Sequence, residues 1–238
     1  MIVGNYGSGK TEVSVNLAVQ TAETGRSVAI ADLDIVNPYF RSREARRLME
    51  SQGIRVVVPP GAQSFADLPI VLPEIKSMLE PAPGKLNLFD VGGDDVGARM
   101  LSSLHEALGP RPYQLWQVIN SRRPFTADLP GCLKMTDAIE TASRLSVTGL
   151  VANSHLITET TPEVILEGAA LAQQVAEATD LPLRFVTAME TLADDPALAE
   201  LQAPLLRLKR FMLPPWLQKS GAEQDVESDS ESIPAGRP

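Results

Sequence analysis

Six apolar runs, Val28–Leu33, Ile54–Val58, Leu86–Val91, Gln114–Ile119, Val147–Ala152 and Leu183–Thr187, recur along the chain, and most are apolar on both faces rather than alternating. Strands buried on both faces belong to a parallel sheet covered by helices. The segments between them carry helix signals. Gly25 closes a segment that begins at Lys10, Asp67 can cap a helix over Leu68–Leu79, and Thr161-Pro162 opens one that runs to Thr179 with Val164, Gly168, Leu171 and Val175 on one stripe. Leu129, Cys132, Met135, Ile139 and Ala142 make a second stripe at helical spacing, which predicts that Cys132 is a core residue. Strand and helix alternate without an internal repeat, so the expected fold class is α/β, a three-layer sandwich around a mainly parallel sheet. Met1-Ile2-Val3 is apolar but short for a first strand, and the expectation is that the natural strand begins upstream.

Composition narrows the class. The 238 residues are 44% hydrophobic, 21% charged and 5% aromatic, enough apolar material for one domain and too few charges for a disordered polyelectrolyte. Thirty acids against 21 bases give a net charge of −9, which argues against coating a nucleic acid. From Gly221 onward five acids (Glu223, Asp225, Glu227, Asp229, Glu231) face one base (Arg237), with almost nothing apolar. The expected division is therefore a domain over residues 1–217 and a disordered acidic tail over 218–238. No apolar run reaches the length that spans a bilayer, the N-terminus does not read as a secretory signal, and a single cysteine forms no internal disulfide; a cytoplasmic setting is expected.

The strongest chemical signal is Gly4-Asn5-Tyr6-Gly7-Ser8-Gly9-Lys10-Thr11, which fits G-x-x-x-x-G-K-[ST] without a gap. Glycines at these places let successive backbone N–H groups turn inward around phosphate oxygens. Lys10 then reaches the β- and γ-phosphates, and the Thr11 hydroxyl can ligate Mg²⁺. An apolar strand ending in Asp90, followed by Gly93, adds a carboxylate that can hold Mg²⁺ through water and an amide that can meet a γ-phosphate.

This loop, with the helix Glu12–Thr24 and the string GRSVAIADLDIVNP after it, resembles the MinD/ParA/CobQ-type ATPases, a P-loop branch related to the nitrogenase iron protein. The resemblance covers roughly residues 1–200. It implies Mg²⁺-dependent ATP binding with slow hydrolysis. By the same resemblance Asp34, in Asp32-Leu33-Asp34, is the switch carboxylate that positions water and contacts the Mg²⁺ shell, so that Thr11, Asp34 and Asp90 form the metal set. Gly4, Gly7, Ser8, Gly9, Lys10, Thr11, Glu12, Gly93 and Asn153 form the nucleotide set, with Asn153 at a strand end against the adenine. Lys10 and Asp34 are the catalytic pair. The implied role is a nucleotide switch that regulates or matures a protein partner; the alternative is a ligase or kinase-like enzyme that activates a small carboxylate, as cobyrinate-amidating and dethiobiotin-forming relatives do.

One position departs from the family. Its signature lysine, one residue after the first glycine, crosses a homodimer interface to the partner's phosphates, and this chain has Asn5 there. Asn carries no charge, so another cation has to serve, with Arg41, Arg43, Arg99 and Arg122 as the candidates nearest the switch segments. Arg122 and Arg123, just past a strand end, are placed to meet a phosphate or an acidic substrate. His105 and His155 lie far apart without metal-ligand spacing. The segment Leu205–Leu217 mixes Arg207, Lys209 and Arg210 with apolar residues and is expected to pack against the sheet, with a membrane-surface anchor as the alternative.

Overall fold

A computed structural model describes residues 1–34, 43–58, 73–80, 82–93 and 95–211. Eight strands form one sheet: β1 (Ile2–Gly4), β2 (Ser27–Leu33), β3 (Arg55–Val57), β4 (Lys85–Val91), β5 (Trp116–Ile119), β6 (Gly149–Ala152), β7 (Leu183–Met189) and β8 (Leu205–Leu208). Their order is β3-β2-β4-β1-β5-β6-β7-β8, and every neighbouring pair is parallel. The helices are α1 (Lys10–Glu23), α2 (Arg43–Ser51), α3 (Pro73–Met78), α4 (Asp95–Leu108), α5 (Leu129–Ser143) and α6 (Pro162–Thr179).

The alternation of side chains along each strand divides the apolar residues between two faces. Along β2, Ala29, Ala31 and Leu33 join the core that includes Leu104 of α4, Cys132 of α5 and Val175 of α6, whereas Val28 and Ile30 join Val15 and Val19 of α1. In β6, Leu150 and Ala152 go to the first core while Val151 meets Val13 of α1. Both faces are thus sealed, which is why the strands read as continuous apolar runs rather than alternating ones.

Strand boundaries follow the sequence pattern closely, with β5 and β6 starting two residues later than the apolar runs. Of the segment Leu205–Leu217, expected to pack against the sheet, Leu205–Leu208 enters it as the edge strand β8, pairing with β7 from Val186–Leu205 to Met189–Leu208, and residues 212–217 lie outside the described residues. Asp67 and the first half of the helix expected over Leu68–Leu79 lie outside the described residues, as do Arg41 and the acidic tail 218–238.

β1 feeds β2 on one side of it whereas β4 crosses over to β5 on the other, so the connections on the two sides of β1 run in opposite directions along the sheet. In open parallel sheets the crevice outside the strand carboxyl ends at such a reversal is the usual ligand position. Asn5, Asp34, Gly93, Asn120 and Asn153 all lie just past carboxyl ends there.

Candidate functional site

The loop between β1 and α1 closes on itself through Ser8 N–H to the Asn5 carbonyl at 3.1 Å, and α1 begins with Val13 N–H on the Gly9 carbonyl at 3.0 Å. Gly9 caps the helix in the left-handed region, φ 84°. A side chain there would be strained by that φ and would sit 2.2 Å from the Asn153 amide nitrogen. Lys10 is buried, and its Nζ donates to the Asn5 carbonyl at 3.1 Å, folded across the loop it is expected to complete. Asn5, in the place of the family's interprotomer lysine, is itself 7% exposed and so is turned into its own chain.

Asp90, at the end of β4, is buried beside this loop and lies in register with Asp32 of β2. Its Oδ1 accepts from the Ser14 hydroxyl at 3.1 Å, while its buried Oδ2 has no hydrogen-bond partner among the described residues. Burial pushes the carboxyl up to about 6, against the opposing pull of Thr11, Lys10 and Ser14, and nearby Asp34 adds to the upward push. An orphaned carboxylate oxygen among Thr11, Lys10 and a second acid is the arrangement a cation completes. The donor set therefore fits Mg²⁺, with Thr11 and Asp90 able to hold it. Among the described residues no group of three or more His, Cys, Asp and Glu could hold a metal unaided. A hard cation here would take its remaining ligands from phosphate and water, as Mg²⁺ commonly does.

Two further positions named by the sequence, Asp34 and Gly93, sit around the same point. Asp34 follows β2, half-buried, with its N–H on Asp32 Oδ1 at 3.0 Å. Gly93 lies flat against the phosphate loop: a Cβ on it would come within 2.8 Å of the Gly4 carbonyl oxygen and the Tyr6 nitrogen. Only a residue without a side chain lets the β4 end approach this closely. Lys10, Thr11, Asp34, Asp90 and Gly93, far apart in sequence, thus converge on one crevice.

Asn153 is tied on both sides of its amide to the chain itself. Its Nδ2 donates to the Ser8 carbonyl at 2.7 Å, and its Oδ1 accepts from the Thr187 hydroxyl at 2.5 Å. It ties the outside of the phosphate loop to the ends of β6 and β7. Glu12 likewise works as a tether, its Oε1 accepting the Phe211 N–H at 2.6 Å. Arg122 pairs with Glu167, and Arg123 donates Nε to the Gly7 carbonyl at 2.8 Å.

A cavity of about 230 Å³ opens beside Gly7 and Gly9, lined mainly by apolar groups such as Ile165, Met189 and Leu208, with Asn153, His155, Arg123 and Arg210 among its polar residues. Sequence reading missed Ser14, Thr187 and this cavity. Ser14 was within reach, since it stands four residues after Lys10 on the same helical face; Thr187 and the cavity wall depend on β6, β7 and β8 coming together, which no local pattern reports.

Burial, with Arg123 and then Arg210 nearby, pushes His155 down to about 4. The unfolded chain takes up that proton near pH 6.5 and the folded chain only near 4, so the folded state loses stability as pH falls between these values. Besides the two arginines, the Glu12 carboxylate lines the same cavity. The expected result for His155→Gln is a flatter acid limb: the parent should lose up to about 3 kcal/mol more than the variant between pH 7 and pH 4. Thermal melts across that range check it, and parallel curves would place the neutral histidine elsewhere.

Residues 3–185 match the CobQ/CobB/MinD/ParA nucleotide binding domain. Among solved structures the fold is similar to the cell division protein FtsY of Thermotoga maritima, with 20% identity and a TM-score of 0.55 over 79% of this chain and 61% of that one. It is also similar to the signal recognition particle receptor FtsY of Elizabethkingia anophelis in complex with GDP, with 16% identity and a TM-score of 0.52 over 77% of this chain and 55% of that one. The chain spans less than two thirds of either protein's length, and at such identity the likeness is one of fold. Comparison with curated proteins gives no match. Since the family match takes in most of the sequence and the phosphate loop and its carboxylates are assembled on a parallel sheet, the chain belongs to the CobQ/CobB/MinD/ParA nucleotide-binding domain family.

Proposed function

We propose that the protein is a Mg²⁺-dependent ATP-binding switch with slow hydrolysis, acting in the cytoplasm on a protein partner that it regulates or matures. The observation that carries this reading is the buried Asp90 with one uncommitted oxygen beside Thr11 and Lys10. In this reading the amides of Gly7 to Thr11 and the Lys10 ammonium bind the phosphates, Thr11 and Asp90 hold the metal, Asp34 orients the attacking water, and the Gly93 amide meets the γ-phosphate. A bound Mg²⁺ supplies neutralisation of phosphate charge. With Asn5 buried at the lysine position, no cation reaches a second protomer from there, which favours low turnover until a partner protein provides one.

The cavity supports adenine over guanine. Guanine presents two adjacent N–H donors on its pairing edge, N1–H and N2–H, and a carboxylate is the group that accepts both. Glu12 is the only carboxylate among the described lining residues, and its Oε1 already accepts from Phe211. Titration calorimetry should therefore show Mg-ATP bound at least about tenfold more tightly than Mg-GTP. Steady-state turnover of the isolated protein should stay below about 1 s⁻¹. Equal affinity for the two nucleotides would remove the adenine assignment, and tens of turnovers per second would remove the switch.

A further inference from the structure

Arg123 stands out among the arginines near the site. Its neighbour Arg122 pairs with Glu167, whereas no described carboxylate pairs with Arg123. Its Nε is nevertheless fixed, on the Gly7 carbonyl at 2.8 Å. That carbonyl holds it against the loop, on the wall of the mostly apolar cavity that Asn153 and His155 also line, and its charge is felt by His155 across it.

We propose that the Arg123 guanidinium is the stacking face for the base of the bound nucleotide, held in plane by the Gly7 carbonyl. A planar cation on the wall of a mostly apolar cavity is complementary to the π-face of a heterocycle. Holding Nε in advance lowers the ordering cost that stacking on a free arginine would carry. Arg210 reaches the same cavity, but no hydrogen bond of its side chain to a described residue anchors it, so it is the lesser contributor. This inference rests on the nucleotide-binding reading and goes beyond it in assigning the base contact to a residue outside the family's motifs.

The test compares Mg-ATP with Mg-tripolyphosphate, which carries the phosphates but no base, by titration calorimetry on the full chain. Arg123→Ala is expected to weaken ATP about tenfold and to leave tripolyphosphate unchanged. Arg123→Gln, which keeps a donor for the Gly7 carbonyl but no charge, should show the same selective loss. Arg122→Ala, whose partner is Glu167, should alter neither affinity. An equal loss for both ligands in both Arg123 variants would make Arg123 a prop for the loop and overturn the proposal, as would no loss at all. A parent chain that binds tripolyphosphate as tightly as ATP would overturn the stacking alone. A parent that binds neither would overturn the nucleotide reading, and the stacking with it.

Discussion

Lys10→Ala is expected to weaken Mg-ATP binding at least about a hundredfold. The ammonium is buried and held by the Asn5 carbonyl at 3.1 Å, so it is pre-positioned across the loop rather than recruited from solvent. A charge-assisted hydrogen bond to phosphate contributes roughly 1.5–3 kcal/mol, and a lysine that reaches two phosphates makes at least two of them. Losing them leaves phosphate charge without the cation the loop positions for it. Calorimetric titration of parent and variant, with circular dichroism to establish that both fold, gives the comparison. Near-parental affinity in the variant would remove the phosphate-loop assignment.

The second large effect is expected in rate rather than affinity. Asp34→Asn should leave Mg-ATP affinity within about threefold of the parent while turnover falls at least about tenfold, the pattern of a group used mainly in the transition state. Asp34 stands past β2 with its N–H fixed on Asp32 Oδ1, so the backbone that carries it is tied to a buried acid beside the crevice. Asparagine keeps the shape and removes the negative charge that would orient a water. Single-turnover hydrolysis at saturating ATP separates the two quantities. A variant that hydrolyses at the parental rate, above a Lys10→Ala blank, would show that the water is positioned elsewhere.

The parts of this molecule that were legible in the sequence are those set by local rules. The phosphate loop is contiguous, and its glycines are demanded by backbone geometry. Asp90 and Gly93 follow an apolar strand whose double-sided burial is visible as uninterrupted hydrophobicity. Strand β8 was not legible, because Leu205–Leu208 with Arg207 in its midst looks like a surface segment. Its membership in the sheet depends on β7 offering a free edge, and the arginine is accommodated there by Asp194. The contacts of Asn153 were hidden for a similar reason: the motif marks the residue at a strand end, but which groups meet its amide depends on the Ser8 carbonyl and the Thr187 hydroxyl arriving from two distant segments. Arg122 and Arg123 are neighbours with equal claims in the sequence. Only the position of Glu167 and the path of the loop separate one from the other.

Strand β8 leaves the sheet alongside α1, and three residues of that helix at successive turns hold it by its backbone. Gln20 donates to the Arg207 carbonyl, Asn16 takes both the N–H and the carbonyl of Lys209, and Glu12 accepts from Phe211. The rungs climb toward the helix's first turn, where Lys10 and Thr11 stand. Through Lys209 and Phe211 the main chain that leaves β8 is thus yoked to the helix that begins with Lys10 and Thr11.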